Sequence, residues 1–567
     1  MASPVFKTGD TSHRRVVGSI PIHLRQNGLR TGGRLEEDDM SKTPGAFSLR
    51  DLEGEARSFP TGRPGLVCFA KEDCATCNLV APILEAFHRT WGAQADVWMV
   101  AQARDGAEIL RDRHGLTLPI LDDSALRTSL TWDFESVPAV FWTDAEGVTA
   151  PVMEGFVKAE WEALSARVSA ALGTPAPQVD WAGLPDWRPG CGSKHLDPDI
   201  HDRLVAEAEG SPIRARKIEV AASDDVDEFL FDQGFSDGLP LVAPTPERVI
   251  RMLAGTTRDP QDVVAVVPPN LAPATVEKVA INAVMAGCRP EYLPVVIAAV
   301  EAVCTDEFNI HGVNATTMGA SPVLVVNGPI RHRIGMNMKL AALGAGNRAN
   351  ATIGRAVRLV IRNLGGARPG GVDRSTLSNP MKFTMCFAEW EEGSPWEPLH
   401  VERGFRPEDS VVTALAMTSG PVQIVDQESR RPDQLAGTLG LGLEGMFLPK
   451  IRRMPVDALL VVCPEHIRTL TVDGDYSKER LRARIQEVTS RPLSEMVSNE
   501  VSGAGIPRAS AARMTADMLA TLTPKFADGK YIHIVVAGSE AGKFSAAFHG
   551  WVTGAMGSTV VSRKIEC

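Results

Sequence analysis

Apolar runs and apolar stripes alternate along most of this chain, with a period that switches between strand-like and helix-like. Gly65-Leu66-Val67-Cys68-Phe69-Ala70 is an unbroken apolar run, as in a strand covered on both faces. After a polar turn, Leu79, Ile83, Ala86 and Phe87 recur at helical spacing and predict a helix with one buried face. Ser136-Val137-Pro138-Ala139-Val140-Phe141 reads as a further strand, and Ala159 to Leu172 as a helix. From Lys217 onward the pattern predicts strands at 239–242, 263–267, 322–327, 384–388, 457–462 and 531–537. Between them it predicts helices at 226–231, 247–254, 274–287, 293–304 and 477–489. Such alternation implies an α/β architecture, a parallel or mixed sheet with helices on both faces, and ligand-binding loops at the carboxyl ends of the strands.

The pattern breaks twice. Residues 1–44 are rich in Arg, Gly, Thr and Ser without periodicity and are expected to be a disordered extension. Gly173-Thr174-Pro175-Ala176-Pro177 marks a linker. The expected organisation is a first domain over 45–172, a linker over 173–215 that carries Cys191 in a loop, and a large α/β domain over 216–567, with a C-terminal subdomain expected from about 408. Asp197-Pro198 caps a helix to about Glu209 inside the linker.

Candidate chemistry enters with Cys74-Ala75-Thr76-Cys77, set between the first strand and its helix. The free N–H groups and dipole of a helix start favour a thiolate at the first cysteine, and Asp73 beside it is expected to raise that thiol's pKa. With Cys74-x-x-Cys77, Ala81-Pro82-Ile83-Leu84 and the late Val137-Pro138, residues about 45–172 resemble a thioredoxin-like domain. The resemblance implies Cys74 as attacking thiolate, Cys77 as resolving thiol, a redox-active disulfide between them, and a cis-Pro138 facing the pair. Asp73 and Ala75-Thr76 depart from the family's usual aromatic residue and Gly-Pro dipeptide.

Cys191 lies between Gly190 and Gly192, with Lys194 and His195 beside it; neighbouring cations favour a thiolate, and a flexible linker could carry it to the Cys74–Cys77 pair. An inert surface cysteine stays open as the alternative. Residues about 180–567 resemble, less sharply, the bacterial UGSC-type (seleno)proteins. Cys191-Gly192-Ser193 matches the first three positions of their motif, Lys194 replaces the last, and Asp237-Gly238-Leu239-Pro240 and Ala280 to Pro290 match other stretches. This implies thiol or selenol redox chemistry without naming a substrate, and Cys191 as nucleophile or electron acceptor.

In the large domain His311 is a candidate acid or base with Asn314 as a hydrogen-bond donor. The run Gly346-Asn347-Arg348-Ala349-Asn350 opens a helix and is a candidate anion site. Lys382, and Glu540 with Lys543 in the loop after the last strong strand, are further substrate-binding candidates. Cys386, Glu389, His400 and Glu402 fit no strong metal-ligand spacing, so no metal is assigned. Cys567 is a terminal thiol able to relay electrons.

Composition narrows the classes. Over 567 residues, 44% hydrophobic and 23% charged content is ordinary for a globular protein. A net charge of −11 and only three tyrosines argue against nucleic acid as a partner. Nine scattered cysteines are no disulfide scaffold, and neither a secretory h-region nor an apolar run of membrane-spanning length is found, so a reducing cytoplasm is expected. The reading is a thiol-dependent oxidoreductase: a thioredoxin-like unit delivers reducing equivalents to an α/β domain acting on a small anionic substrate. It expects no cofactor beyond the Cys74–Cys77 disulfide, an external thiol reductase as donor, and no membrane partner, and it leaves a homo-oligomer open. Two alternatives remain: a lyase or hydrolase acting through His311 and Lys382 and kept reduced by its partner domain, and a protein disulfide reductase with a client-binding module.

Overall fold

The computed structural model describes residues 22–24, 45–145, 153–208, 210–221, 224–453 and 455–566. The chain divides into two compact units, Gly28–Arg216 on one side and Met1–Asn27 with Lys217–Cys567 on the other. Of the extension expected to be disordered, only Ile22–Leu24 is described; it is a strand parallel to Ile218–Val220. The rest of that stretch, and Cys567, lie outside the described residues.

In the smaller unit the strand Gly65–Ala70 sits at the centre of a five-stranded sheet. It pairs in parallel with Asp96–Ala101 and antiparallel with Ala139–Thr143, and Ile120–Asp122 and Met153–Glu154 form the edges. All six of its residues are buried, as an apolar run between two covered faces requires. The helix Ala75–Trp91 buries Val80, Ile83, Leu84, Phe87 and Trp91, leaving Leu79 and Ala86 at the rim of the expected face. Lys158–Leu172 packs Trp161 against Phe156 and Phe87. Central strand, helix from its end, and an antiparallel strand beyond a late proline define a thioredoxin-like fold.

The larger unit is built on a seven-stranded mixed sheet. Cys386–Ala388, Ser321–Asn327, Val411–Val425, Phe544–Val552, Val456–Val462 and Ile532–Val536 follow in that order, and Val561–Lys564 also pairs with Val411–Val425. Only the two pairs nearest its ends are parallel. Residues on both sides of position 408 therefore share one sheet. Side-chain alternation divides the strands between two cores: Ala458, Leu460 and Val462 join helices Pro432–Glu444 and Lys478–Val488, while Leu459 and Val461 join Val323, Phe387 and Phe548. No strand forms at 239–242. That stretch is a loop held by Arg355, whose guanidinium donates to both Asp237 carboxylate oxygens (2.9 and 2.8 Å) and to the Leu239 and Pro240 carbonyls.

Candidate functional site: a three-thiol cluster

Cys74 occupies the N-cap of Ala75–Trp91, where helical N–H groups lack partners in the chain's own helix. Its Sγ accepts the Cys77 amide N–H at 3.3 Å and lies 3.4 Å from the Val137 carbonyl oxygen. The hydrogen bond from the Cys77 side chain is the largest influence on it. Burial opposes that influence, and the Cys77 amide, the Cys191 side chain and the Thr76 amide reinforce it, leaving the thiol at about 5. Cys77 moves the other way, pushed up first by burial and then by the Cys74 sulfur. Asp73 does not act as expected: it points outward, 64% exposed, 3.6 Å from Lys71 Nζ. The eight described cysteines carry no disulfide bond, Cys74 and Cys77 among them.

Cys191 does not hang on a flexible linker. Cys191–Gly192 is a short strand antiparallel to Ser136–Val137, with Cys191 opposite Val137, the residue before cis-Pro138. Just upstream, Trp187–Arg188 pairs with Phe156–Val157. The two glycines of this segment have different duties. A Cβ on Gly190 would sit 2.6 Å from Ser136 Oγ and 3.0 Å from Val137 O, whereas one on Gly192 would meet nothing. Gly155 adds a left-handed turn at φ +73°, its missing Cβ leaving room for the Gly190 amide. The Thr76 hydroxyl donates to the Pro189 carbonyl at 2.6 Å, which gives the unusual Ala-Thr dipeptide a purpose: it ties the motif to the Cys191 segment.

Downstream, Ser193 N donates to the Glu135 carbonyl and Ser193 Oγ lies 2.7 Å from His195 Nδ1. Gln102 Nε2 donates to Ser193 Oγ and Ser129 Oγ, and Gln102 Oε1 accepts Lys194 N. His195 is wholly buried with its pKa pushed down by desolvation, so it packs as a neutral ring against Phe134 rather than as a cation for Cys191. Cys191 itself is pushed up by burial and by the Cys74 sulfur. The cluster thus holds one thiol low, Cys74, and two high, Cys77 and Cys191.

The candidates of the larger unit do not gather into one pocket. His311 is exposed on the short helix Ile310–Ala315. Asn314 Oδ1 accepts from Arg358 Nη1 (3.2 Å); Arg358 Nε donates to the Lys382 carbonyl, and Lys382 Nζ binds Asp373 (2.6 Å) and Ser375 (2.5 Å). Arg358 lies ten residues beyond Arg348 on the helix Arg348–Asn363, about 15 Å along its axis. Asn347 caps that helix through the Asn350 amide after the left-handed Gly346, and the buried Asn350 side chain binds Asn337 and Ala342, so both asparagines serve the loop. Arg348 lines a cavity. Glu540 is exposed, its carbonyl accepting from Arg468, and Lys543 Nζ donates to the Gln427 carbonyl. Among the described residues no cluster of three His, Cys, Asp or Glu could hold a metal ion, and Glu389 is instead bound by Asn327 and the Leu399 amide.

One pair escaped the sequence reading. Cys463 follows the strand Val456–Val462, with His466 three residues on; Ser545 Oγ lies 2.6 Å from His466 Nδ1 and accepts Cys463 N. Burial opposes ionisation of Cys463, yet the hydrogen bond and charge of His466 hold the thiol below its ordinary value. A cysteine and histidine one helical turn apart at a strand's carboxyl end was the available signal.

The smaller unit has a thioredoxin-like fold, with two cysteines at the start of its first helix. Among solved structures it is similar to StoA from Bacillus subtilis, at 22% identity over 21% of this chain and 97% of that one, with a TM-score of 0.19. A secreted Mycobacterium tuberculosis disulfide oxidoreductase matches at 19% identity, over 22% of this chain and 95% of that one, with a TM-score of 0.20. The thioredoxin domain of a Bacteroides vulgatus thiol-disulfide oxidoreductase matches at 15% identity, over 24% and 99%, with a TM-score of 0.21. No family model and no curated protein matches the chain. No helix among the described residues is long and apolar enough to cross a membrane.

Proposed function

We propose that the protein is a thiol–disulfide oxidoreductase whose first exchange partner is its own Cys191. The observation that carries this is the placement of Cys191 on a strand fixed opposite Val137, whose carbonyl meets Cys74 Sγ, so that the side chains of Cys77 and Cys191 both hydrogen-bond Cys74 and hold its thiol low. In the exchange, Cys191 arrives as a mixed disulfide with a substrate thiol. Cys74 attacks the Cys191 sulfur, forming a Cys74–Cys191 bond and expelling the substrate as thiolate. Cys77 then attacks Cys74 and loses its proton, the Cys74–Cys77 disulfide forms, and the departing Cys191 thiolate takes up a proton. Two electrons have passed from the dithiol to the substrate disulfide, and an external dithiol reductant restores the pair.

On this reading the larger unit is where a small anionic substrate is handled, and the shared chain keeps electron source and recipient at an effective concentration on the order of millimolar. A Cys77→Ser variant treated with a small disulfide tests the exchange. Peptide mapping without reductant is expected to find a Cys74–Cys191 bond as the main product. A product in which Cys74 carries only the small thiol, with Cys191 unmodified, would refute it.

A further inference from the structure

Three stretches that stand far apart in sequence meet at one cavity of about 280 Å³ in the larger unit. Arg248 and Arg251 reach it from the helix Pro246–Leu253, Arg289 from the turn after Val276–Ala286, and Arg348 from the first position of Arg348–Asn363. Two of the four are anchored by backbone: Arg248 Nη1 donates to the Ala243 carbonyl (2.8 Å) and Arg348 Nε to the Gly287 carbonyl (2.9 Å). Gly287 presents that carbonyl from a left-handed helix cap at φ +87°, a conformation that disfavours other residues. Each guanidinium has five N–H donors, so both anchored arginines keep most of theirs.

Several arginines of this unit are matched with carboxylates. Arg355 has Asp237, Arg331 has Glu391 and Glu392, and Arg452 has Glu444. Among the described residues no ion pair involves Arg248, Arg251, Arg289 or Arg348. What sets these four apart is that they line one small space, in a chain of net charge −11. The remaining wall is apolar, through Val242, Met252 and Val284, while Cys288 is a neutral thiol raised to about 12 by burial, its Sγ 3.4 Å from the Thr352 carbonyl oxygen.

We propose that this cavity binds a small phosphorylated molecule, its phosphate held by the four arginines and a short apolar portion lying against Val242 and Met252. A carboxylate presents two oxygens to such forks, whereas a phosphate presents three and a second negative charge, so it uses four convergent guanidinium groups more fully. The volume suits a compact ligand rather than a nucleotide-sized one. The proposal deepens the reading of the larger unit as the place of a small anionic substrate, and it is independent of thiol exchange.

Isothermal titration of the full chain with inorganic phosphate and pyrophosphate, at fixed ionic strength, tests it. Saturable binding is expected, weakened about tenfold or more by Arg251→Ala and by Arg289→Ala. Neither side chain makes a hydrogen bond or ion pair among the described residues, so both variants should fold, and Arg430→Ala serves as the remote control. Cys74→Ser is expected to bind as well as the parent, which separates failure here from failure of the exchange reaction. Absence of saturation at millimolar probe, affinity unchanged from the parent in both arginine variants, or binding of succinate but not phosphate would each overturn the proposal.

Discussion

The depressed Cys74 thiol makes a quantitative forecast about rate against pH. An ordinary thiol at 9.0 is about 1% ionised at pH 7, and a thiol at about 5 is about 99% ionised there. A low-pKa thiolate is also a weaker nucleophile, and with a Brønsted coefficient of about 0.4–0.5, four pK units cost about 40- to 100-fold in attack. The two effects nearly cancel at pH 7. At pH 5 they do not: about half of Cys74 is thiolate against about 0.01% of an ordinary thiol. Thus roughly 50- to 125-fold of advantage survives. Thiolate ultraviolet absorbance should therefore show a midpoint near 5, and exchange with a neutral small disulfide should be nearly flat above pH 6. Cys77→Ala, which removes the largest cause, should raise the midpoint more than Cys191→Ser does. A rate climbing tenfold per pH unit between 6 and 8, or a midpoint unmoved in Cys77→Ala, would refute the assignment of thiolate and partner.

Three further outcomes follow from the geometry. Gly190→Ala drives a Cβ into Ser136 Oγ and the Val137 carbonyl, so the 191–192 strand should detach. The cost should be about 1–3 kcal/mol, and the Cys74–Cys191 product in a Cys77→Ser background should fall about tenfold by peptide mapping. Asp237→Ala leaves the mostly buried Arg355 without its carboxylate and should cost about 3 kcal/mol in denaturant unfolding of the larger unit, with the Cys74 midpoint unchanged. His195 has a folded pKa below its unfolded 6.5. Its neutral burial therefore contributes stability fully present above about 6.5 and lost as pH falls through the folded value; His195→Asn, which can still meet Ser193, should reduce that acid loss in melting curves.

Local signals were read well and distant ones were not. The strand, the cysteine pair and the helix after it are contiguous, so period and helix-start chemistry sufficed. Cys191 was suspected, but its seat was not foreseen. A two-residue pairing with a strand more than fifty positions away leaves no periodicity, and the Pro and Gly that make the close approach possible look like disorder. The 239–242 stretch was read as a strand because it is apolar, whereas its conformation is dictated by Arg355 more than a hundred residues on. Arg348 was singled out, yet Arg248, Arg251 and Arg289 were not, because exposed arginines on helices are ordinary until a fold turns them toward one space. Cys463 and His466 carry a local signal one helical turn apart, but Ser545, which joins them, comes from another strand.

The strand carrying Cys191 has a consequence for selectivity. A groove beside Pro138 that is occupied from within admits visitors only by competition. Against a tethered occupant at an effective concentration on the order of millimolar, an outside peptide of equal intrinsic strength, with micromolar affinity for the empty groove, is disfavoured about a thousandfold. In the proposed exchange, chain connectivity rather than surface recognition would decide which sulfur Cys74 meets, trading a broad appetite for protein disulfides for fidelity to one.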